Sequence, residues 1–188
     1  SGAGSDGVLV TGTGTLDAVG GLQVSGATGN AVFVSGGIAD IDGASLTDSL
    51  GTGVSVTGGT ATLGDVTISG AQVAGVNVSG GSLSAGADLE VLASVRNGIQ
   101  VSGGSVDLAG SSVADAGLSG IFLSGTCSAA LDGLSVQGSG DYGIYCDGGV
   151  ADPATSEVTL DPCVVDADGT SGLGDFELVN GCEVAWSC

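Results

Sequence analysis

The chain has 188 residues, 39 of them glycine and only two proline, with 21 acidic side chains against a single basic one, Arg96, for a formal charge of −20. Such a surface repels a phosphate backbone and an anionic bilayer alike, which argues against nucleic-acid binding, and no apolar run approaches the roughly 20 residues of a membrane-spanning helix. Glycine without a strict Gly-X-Y period, in a sequence that is 42% hydrophobic, fits neither collagen nor simple disorder.

Along the chain one phrase recurs, of the form Gly/Ala-apolar-x-apolar-Ser/Thr-Gly. Its copies start at Gly7, Ala31, Gly53, Gly75, Gly98 and Gly120, and a looser copy starts at Gly143. Successive starts are 24, 22, 22, 23, 22 and 23 residues apart, a period that identifies stacked supersecondary units. Within a period the chain reads as three short alternating stretches, for example residues 54–56, 61–63 and 66–68, each with two small or branched apolar residues around an outward one. Glycine pairs at 36–37, 58–59, 80–81 and 103–104 share one phase and supply the positive φ of a sharp corner.

These features predict a single all-β domain over residues 1–188: a parallel solenoid of about seven to eight coils, three short strands per coil and roughly 22 residues per coil. Residues 1–146 carry the regular coils. Residues 147–188 hold Pro153, Pro162 and an irregular, cysteine-rich C-terminal region. No amphipathic helix precedes Gly7 to cover the first coil, so the sequence is expected either to continue into a longer solenoid or to pair with a second copy.

The five cysteines, Cys127, Cys146, Cys163, Cys182 and Cys188, lie in the C-terminal third, without a Cys-x-x-Cys pair or any histidine to complete a zinc set. Disulfides are the expectation, with Cys127–Cys146 and Cys163–Cys182 as the favoured pairs. They imply an extracellular or cell-surface protein whose signal or precursor segment is not in this chain.

The repeat from Gly7 to Cys146 resembles that of the pectate-lyase-like superfamily, whose members are right-handed parallel β-helices with three sheets around one apolar interior. The residues before the phrase, Asn30, Thr52, Ala74, Asn97, Ser119 and Tyr142, match that family's stacked asparagine ladder only in part. The resemblance implies the fold and leaves function open, since the superfamily includes polysaccharide lyases, glycosidases, adhesins and non-catalytic shafts. Its lyases rely on basic residues and its hydrolases on carboxylate pairs with basic neighbours, and this chain has no histidine or lysine. A non-catalytic member is the expectation.

The close carboxylates Asp40 with Asp42 and Asp166 with Asp168 are weak candidates for calcium, a hard cation that takes oxygen ligands from turns. Asp40, Asp107 and Asp152 share a phase but do not occupy consecutive coils, so no continuous acidic column is expected. No other cofactor is called for.

Alternation places one residue of each phrase outside, giving the column Leu9, Phe33, Ser55, Asn77, Gln100, Phe122 and Tyr145. No member is charged, and Phe33, Phe122 and Tyr145 are three of only six aromatic residues in the chain. On so acidic a protein this is a candidate contact face, with Leu9, Phe33, Phe122 and Tyr145 as its apolar members. The expected function is a non-catalytic extracellular structural solenoid that stacks head to tail into a filament or surface assembly. A carbohydrate-binding or adhesin shaft module is the first alternative and a polysaccharide-cleaving enzyme the second.

Overall fold

The structure, a computed structural model, describes residues 5–147 apart from positions 87 and 133, together with the strands Glu157–Asp161, Val164–Val165, Phe176–Val179 and Glu183–Trp186. Its described elements are all strands, and their pairings are parallel throughout. Each stretch of the repeat lies on its equivalent one coil away, so three ladders run the length of the molecule. The first joins Val8, Val32, Val54, Val76, Ile99, Ile121, Ile144 and Phe176. The second begins at Thr15–Val19 and continues through Ile38, Thr60, Ser82, Ser105, Ser128 and Glu157. The third begins at Gln23–Ser25 and passes through Ser45, Thr67, Glu90, Ser112, Ser135 and Val164.

This parallel β-solenoid confirms the predicted class. Six regular turns of roughly 23 residues separate Val8 from Ile144, close to the roughly 22-residue coil expected. The next step of the first ladder, Ile144 to Phe176, takes 32 residues. In the second and third coils the strands run on through the corners, as Val32–Thr47 and Val54–Ser69, with register shifts near Val34 and Ser35.

The apolar members of the repeat phrase point inward as predicted. Val32, Val54, Val76, Ile99, Ile121 and Ile144 are fully buried, and so are Val34, Val56, Val78, Val101 and Leu123 in the parallel column. Opposite them the third ladder contributes Leu46, Ile68, Val91, Val113 and Val136. Burying a branched aliphatic side chain stabilises by about 1.5–3 kcal/mol, so the stacked columns supply the main favourable term of the fold. Each coil is also narrow. A Cβ on Gly53, Gly75, Gly98 or Gly120 would lie 2.2–2.3 Å from a third-ladder methyl of Ile68, Val91, Val113 or Val136 respectively. The glycine that opens the phrase is thus a packing requirement.

The glycine pairs perform the expected corner duty. Gly37, Gly59, Gly81 and Gly104 have φ between 76° and 80° and stack on one another. A second left-handed column, between the third and first ladders, comprises Gly26, Asp48, Gly70, Ala93, Asp115 and Gly138. Three of its six members carry side chains, which is why composition did not reveal it. Ala93, at φ 49°, has no polar side chain to offset the left-handed conformation. Ala93→Gly is therefore expected to raise the unfolding free energy by roughly 0.5–1 kcal/mol in urea denaturation, because its Cβ is exposed and contributes little packing.

Candidate functional site

The residues just before each phrase and the outward residue within it form neighbouring columns along one side of the solenoid. Over three successive coils, nine of these residues enclose a pocket of about 300 Å³. Its rows are Arg96, Asn97 and Gln100; Leu118, Ser119 and Phe122; and Asp141, Tyr142 and Tyr145. Backbone bonds fix the rows in register, with Leu118 N–H donating to Arg96 O and Asp141 N–H to Leu118 O. The outer column follows from Gln100↔Phe122 and Phe122↔Tyr145 pairing. Axial spacing is therefore that of parallel strands, about 4.8 Å per row.

Phe122 and Tyr145 stack with ring centroids 5.2 Å apart and planes 5° from parallel. Tyr142 leans against Tyr145 at 5.3 Å and 43°. Because Tyr145 covers one face of Phe122, the other face is turned towards the Gln100 row. There Asn97 is held by its own contacts: its Oδ1 accepts from Ser119 N–H at 3.3 Å and its Nδ2 donates to Gln100 Oε1 at 3.3 Å. Asn97 is 7% exposed, so it sets the orientation of the more accessible Gln100 amide. The site thus combines aromatic surface with amide, phenol, carboxylate and guanidinium groups along one edge, the composition of a binding pocket.

A shorter ladder precedes it. Asp6 Oδ1 accepts from Asn30 N–H at 2.8 Å and from Asn30 Nδ2 at 3.0 Å, and Asn30 Oδ1 accepts from Thr52 N–H at 2.9 Å. The partial match to an asparagine ladder is thereby explained: short polar side chains cap backbone N–H groups of the next coil where they occur, and Ala74 interrupts the run.

Residues 6–160 match the family model described as a right-handed beta helix region. The chain belongs to the right-handed β-helix family. No curated protein matches it.

The β-helix separates the predicted contact face into two parts. Phe122 and Tyr145 enter the pocket. Leu9, 59% exposed, and half-buried Phe33 are neighbours in register at the other end of the same column, with Ser55 and Asn77 between. Ser55 is buried although it occupies an outward position. The sequence pattern does not mark Arg96, Leu118 and Asp141 as site residues, and it gives Asn97, Ser119 and Tyr142 only as ladder positions. Their signal was phase: each pair immediately precedes Gly98, Gly120 or Gly143.

Asp40 and Asp42 lie exposed on the second ladder, on either side of buried Ile41. Register places Asp17 and Asp40 side by side, then Thr62 and Ser84 before Asp107. Among the described residues no group of three acidic, cysteine or histidine side chains is assembled for a metal, and Asp166 and Asp168 lie outside the described residues. Cys127 and Cys146, the favoured pair, are both buried, and the register does not set them side by side. The two lie in different columns: Cys146 stacks on Leu123, while Cys127 lies over Gly104 past the corner. Cys163, Cys182 and Cys188 are outside the described residues.

Proposed function

We propose that this β-helix is a non-catalytic, extracytoplasmic glycan-binding module, whose side pocket holds a pyranose against Phe122. The supporting observation is the Phe122–Tyr145 stack inside a pocket that also presents Asn97, Gln100, Asp141 and Tyr142. A pyranose has apolar C–H faces and a hydroxyl rim, so it matches a ring surface edged by amide, phenol and carboxylate groups. A binding role fits better than glycosidic cleavage, because hydrolysis ordinarily uses two carboxyl groups flanking the bond and only Asp141 among the pocket residues carries one. Extracytoplasmic placement is supported by five cysteines in a chain without histidine or a Cys-x-x-Cys pair, a composition that suits disulfides better than a metal site. End-to-end stacking of copies through strand pairing at the coil ends would leave the pocket accessible on the side of the assembly.

The test is calorimetric titration of the full chain with methyl glycosides of glucose, galactose, mannose and N-acetylglucosamine. At least one is expected to bind, and Phe122→Ala with Tyr145→Ala is expected to weaken that binding at least about tenfold. Both side chains point outward, so circular dichroism of the double variant should keep its β signature. Undiminished binding by the folded double variant, or no binding by the parent chain, would overturn the proposal.

A further inference from the structure

We infer that the corner between the third and first ladders docks an amphipathic helix of a partner protein, cationic along one flank, with its apolar stripe laid along the solenoid axis. This is independent of the glycan-binding reading, and the surface meets the pocket only at Arg96 and Leu118.

Among the described residues six large apolar side chains are exposed. Three of them, Leu50 at 61%, Val73 at 41% and Val95 at 52%, fall at this corner on successive coils. Half-buried Leu118 carries the series into the next coil. Backbone bonds hold the corner in register: Gln72 N–H donates to Ser49 O, Val73 N–H to Gly51 O, Val95 N–H to Ala71 O and Leu118 N–H to Arg96 O. The apolar residues therefore zigzag parallel to the axis, over about 14 Å at the spacing of parallel strands. The buried position of the corner is filled by other, smaller residues, Ser49, Ala71, Ser94 and Ala116. An apolar stripe that the core does not use, on so acidic a chain, marks a contact surface.

Charge and spacing select the occupant. Asp48 and Asp115 are exposed in the left-handed column on one side of the stripe, while Arg96 follows Val95 on the other. A second copy is a poor fit, because it would bring another charge of −20 against the first. A cationic segment gains from the same field. A helix returns a side chain to one face about every 5.4 Å, close to the row spacing of about 4.8 Å. Same-face residues of an extended strand recur at about 6.6 Å and drift by about 2 Å per row. About ten helical residues cover the stripe, with cations on the flank facing Asp48 and Asp115 and uncharged residues on the flank facing Arg96.

The test is fluorescence anisotropy of a helical peptide of roughly 14 residues, with leucines along one face, lysines on one flank and glutamines on the other, titrated with the full chain. A peptide of the same composition with its leucines scattered around the helix is the comparison. The ordered peptide is expected to bind at least about tenfold more tightly. Leu50→Ser with Val95→Ser should weaken its binding about tenfold at unchanged charge, whereas Leu9→Ser, which removes an equally exposed side chain elsewhere, should leave it unaltered. Asp48→Asn with Asp115→Asn, which keeps residues tolerant of positive φ, should weaken binding about threefold at low ionic strength and have little effect in high salt. The two-peptide comparison needs only the parent chain, so it decides the matter whether or not a variant folds. Equal binding of the two peptides would reduce the attraction to net charge and overturn the inference. Parental affinity in the double serine variant, shown folded by circular dichroism, would do the same. Sedimentation velocity of the chain without peptide checks the competing occupant: a dimer abolished by Leu50→Ser with Val95→Ser would assign the stripe to a second copy and overturn the inference as well.

Discussion

Gly120→Ala is expected to lower the unfolding free energy by about 3 kcal/mol, although it adds one methyl group at a position that reads as an ordinary strand residue. The new Cβ would stand 2.2 Å from Val136 Cγ1 and 2.7 Å from Gly143 O, inside contact distance for both. The chain itself shows how the crowding is relieved. The phrase opens with alanine once, at Ala31, which is fully buried. In that coil the third-ladder residue is Leu46, where the other coils place Val24, Ile68, Val91, Val113 or Val136. Leucine branches one carbon further out than valine or isoleucine, so its Cβ carries a single Cγ and leaves room for the alanine methyl. Val136→Leu should accordingly recover much of the loss caused by Gly120→Ala. Urea denaturation of the two single variants and the double variant would show a favourable coupling of about 1 kcal/mol or more. A double variant no more stable than the summed single losses would show that the Ala31–Leu46 pairing has another origin.

Gly81→Ala is expected to cost a similar amount without any compensating partner. Gly81 has φ 77°, and its Cβ would meet Gly59 O at 2.4 Å and the Gly58 backbone at 2.9 Å. The left-handed conformation alone costs an alanine about 1–2 kcal/mol, and the obstruction is a neighbouring backbone that cannot change rotamer. Gly81→Asn separates the two terms, because asparagine tolerates positive φ better than alanine but brings the same Cβ. Both variants should unfold at least about 2 kcal/mol more easily than the parent in urea. Near-parental stability of Gly81→Asn would show that the conformation, and not the close approach of adjacent coils, is what requires glycine at this corner.

Much of the architecture is legible because a parallel solenoid repeats its constraints at fixed intervals. The constancy of the starts at Gly53, Gly75, Gly98 and Gly120 places each strand above the last, and the alternation within GVSVTG or GIFLSG separates core from surface. The predicted outer column is reproduced residue for residue in the pairing from Leu9 to Tyr145. The site was less legible. Phe122 and Tyr145 stood out as aromatic residues in one phase, but Arg96, Leu118 and Asp141 share a column without sharing any chemistry, so no motif links them. The left-handed column through Asp48, Ala93 and Asp115 was hidden for a related reason, since non-glycine residues carry no compositional mark of positive φ.

The amino-acid sequence by itself therefore determined the all-β class, the parallel coil, the inward columns and the uncharged outer register, because each follows from a short period of apolar and glycine residues. Only the tertiary structure decided the third-ladder pressure on Gly53, Gly75, Gly98 and Gly120, and the assembly of Arg96, Phe122 and Asp141 around one pocket. Those depend on distances between ladders. Periodicity specifies which residues stack, while the packing of three sheets around a narrow core specifies what lies beside each stack.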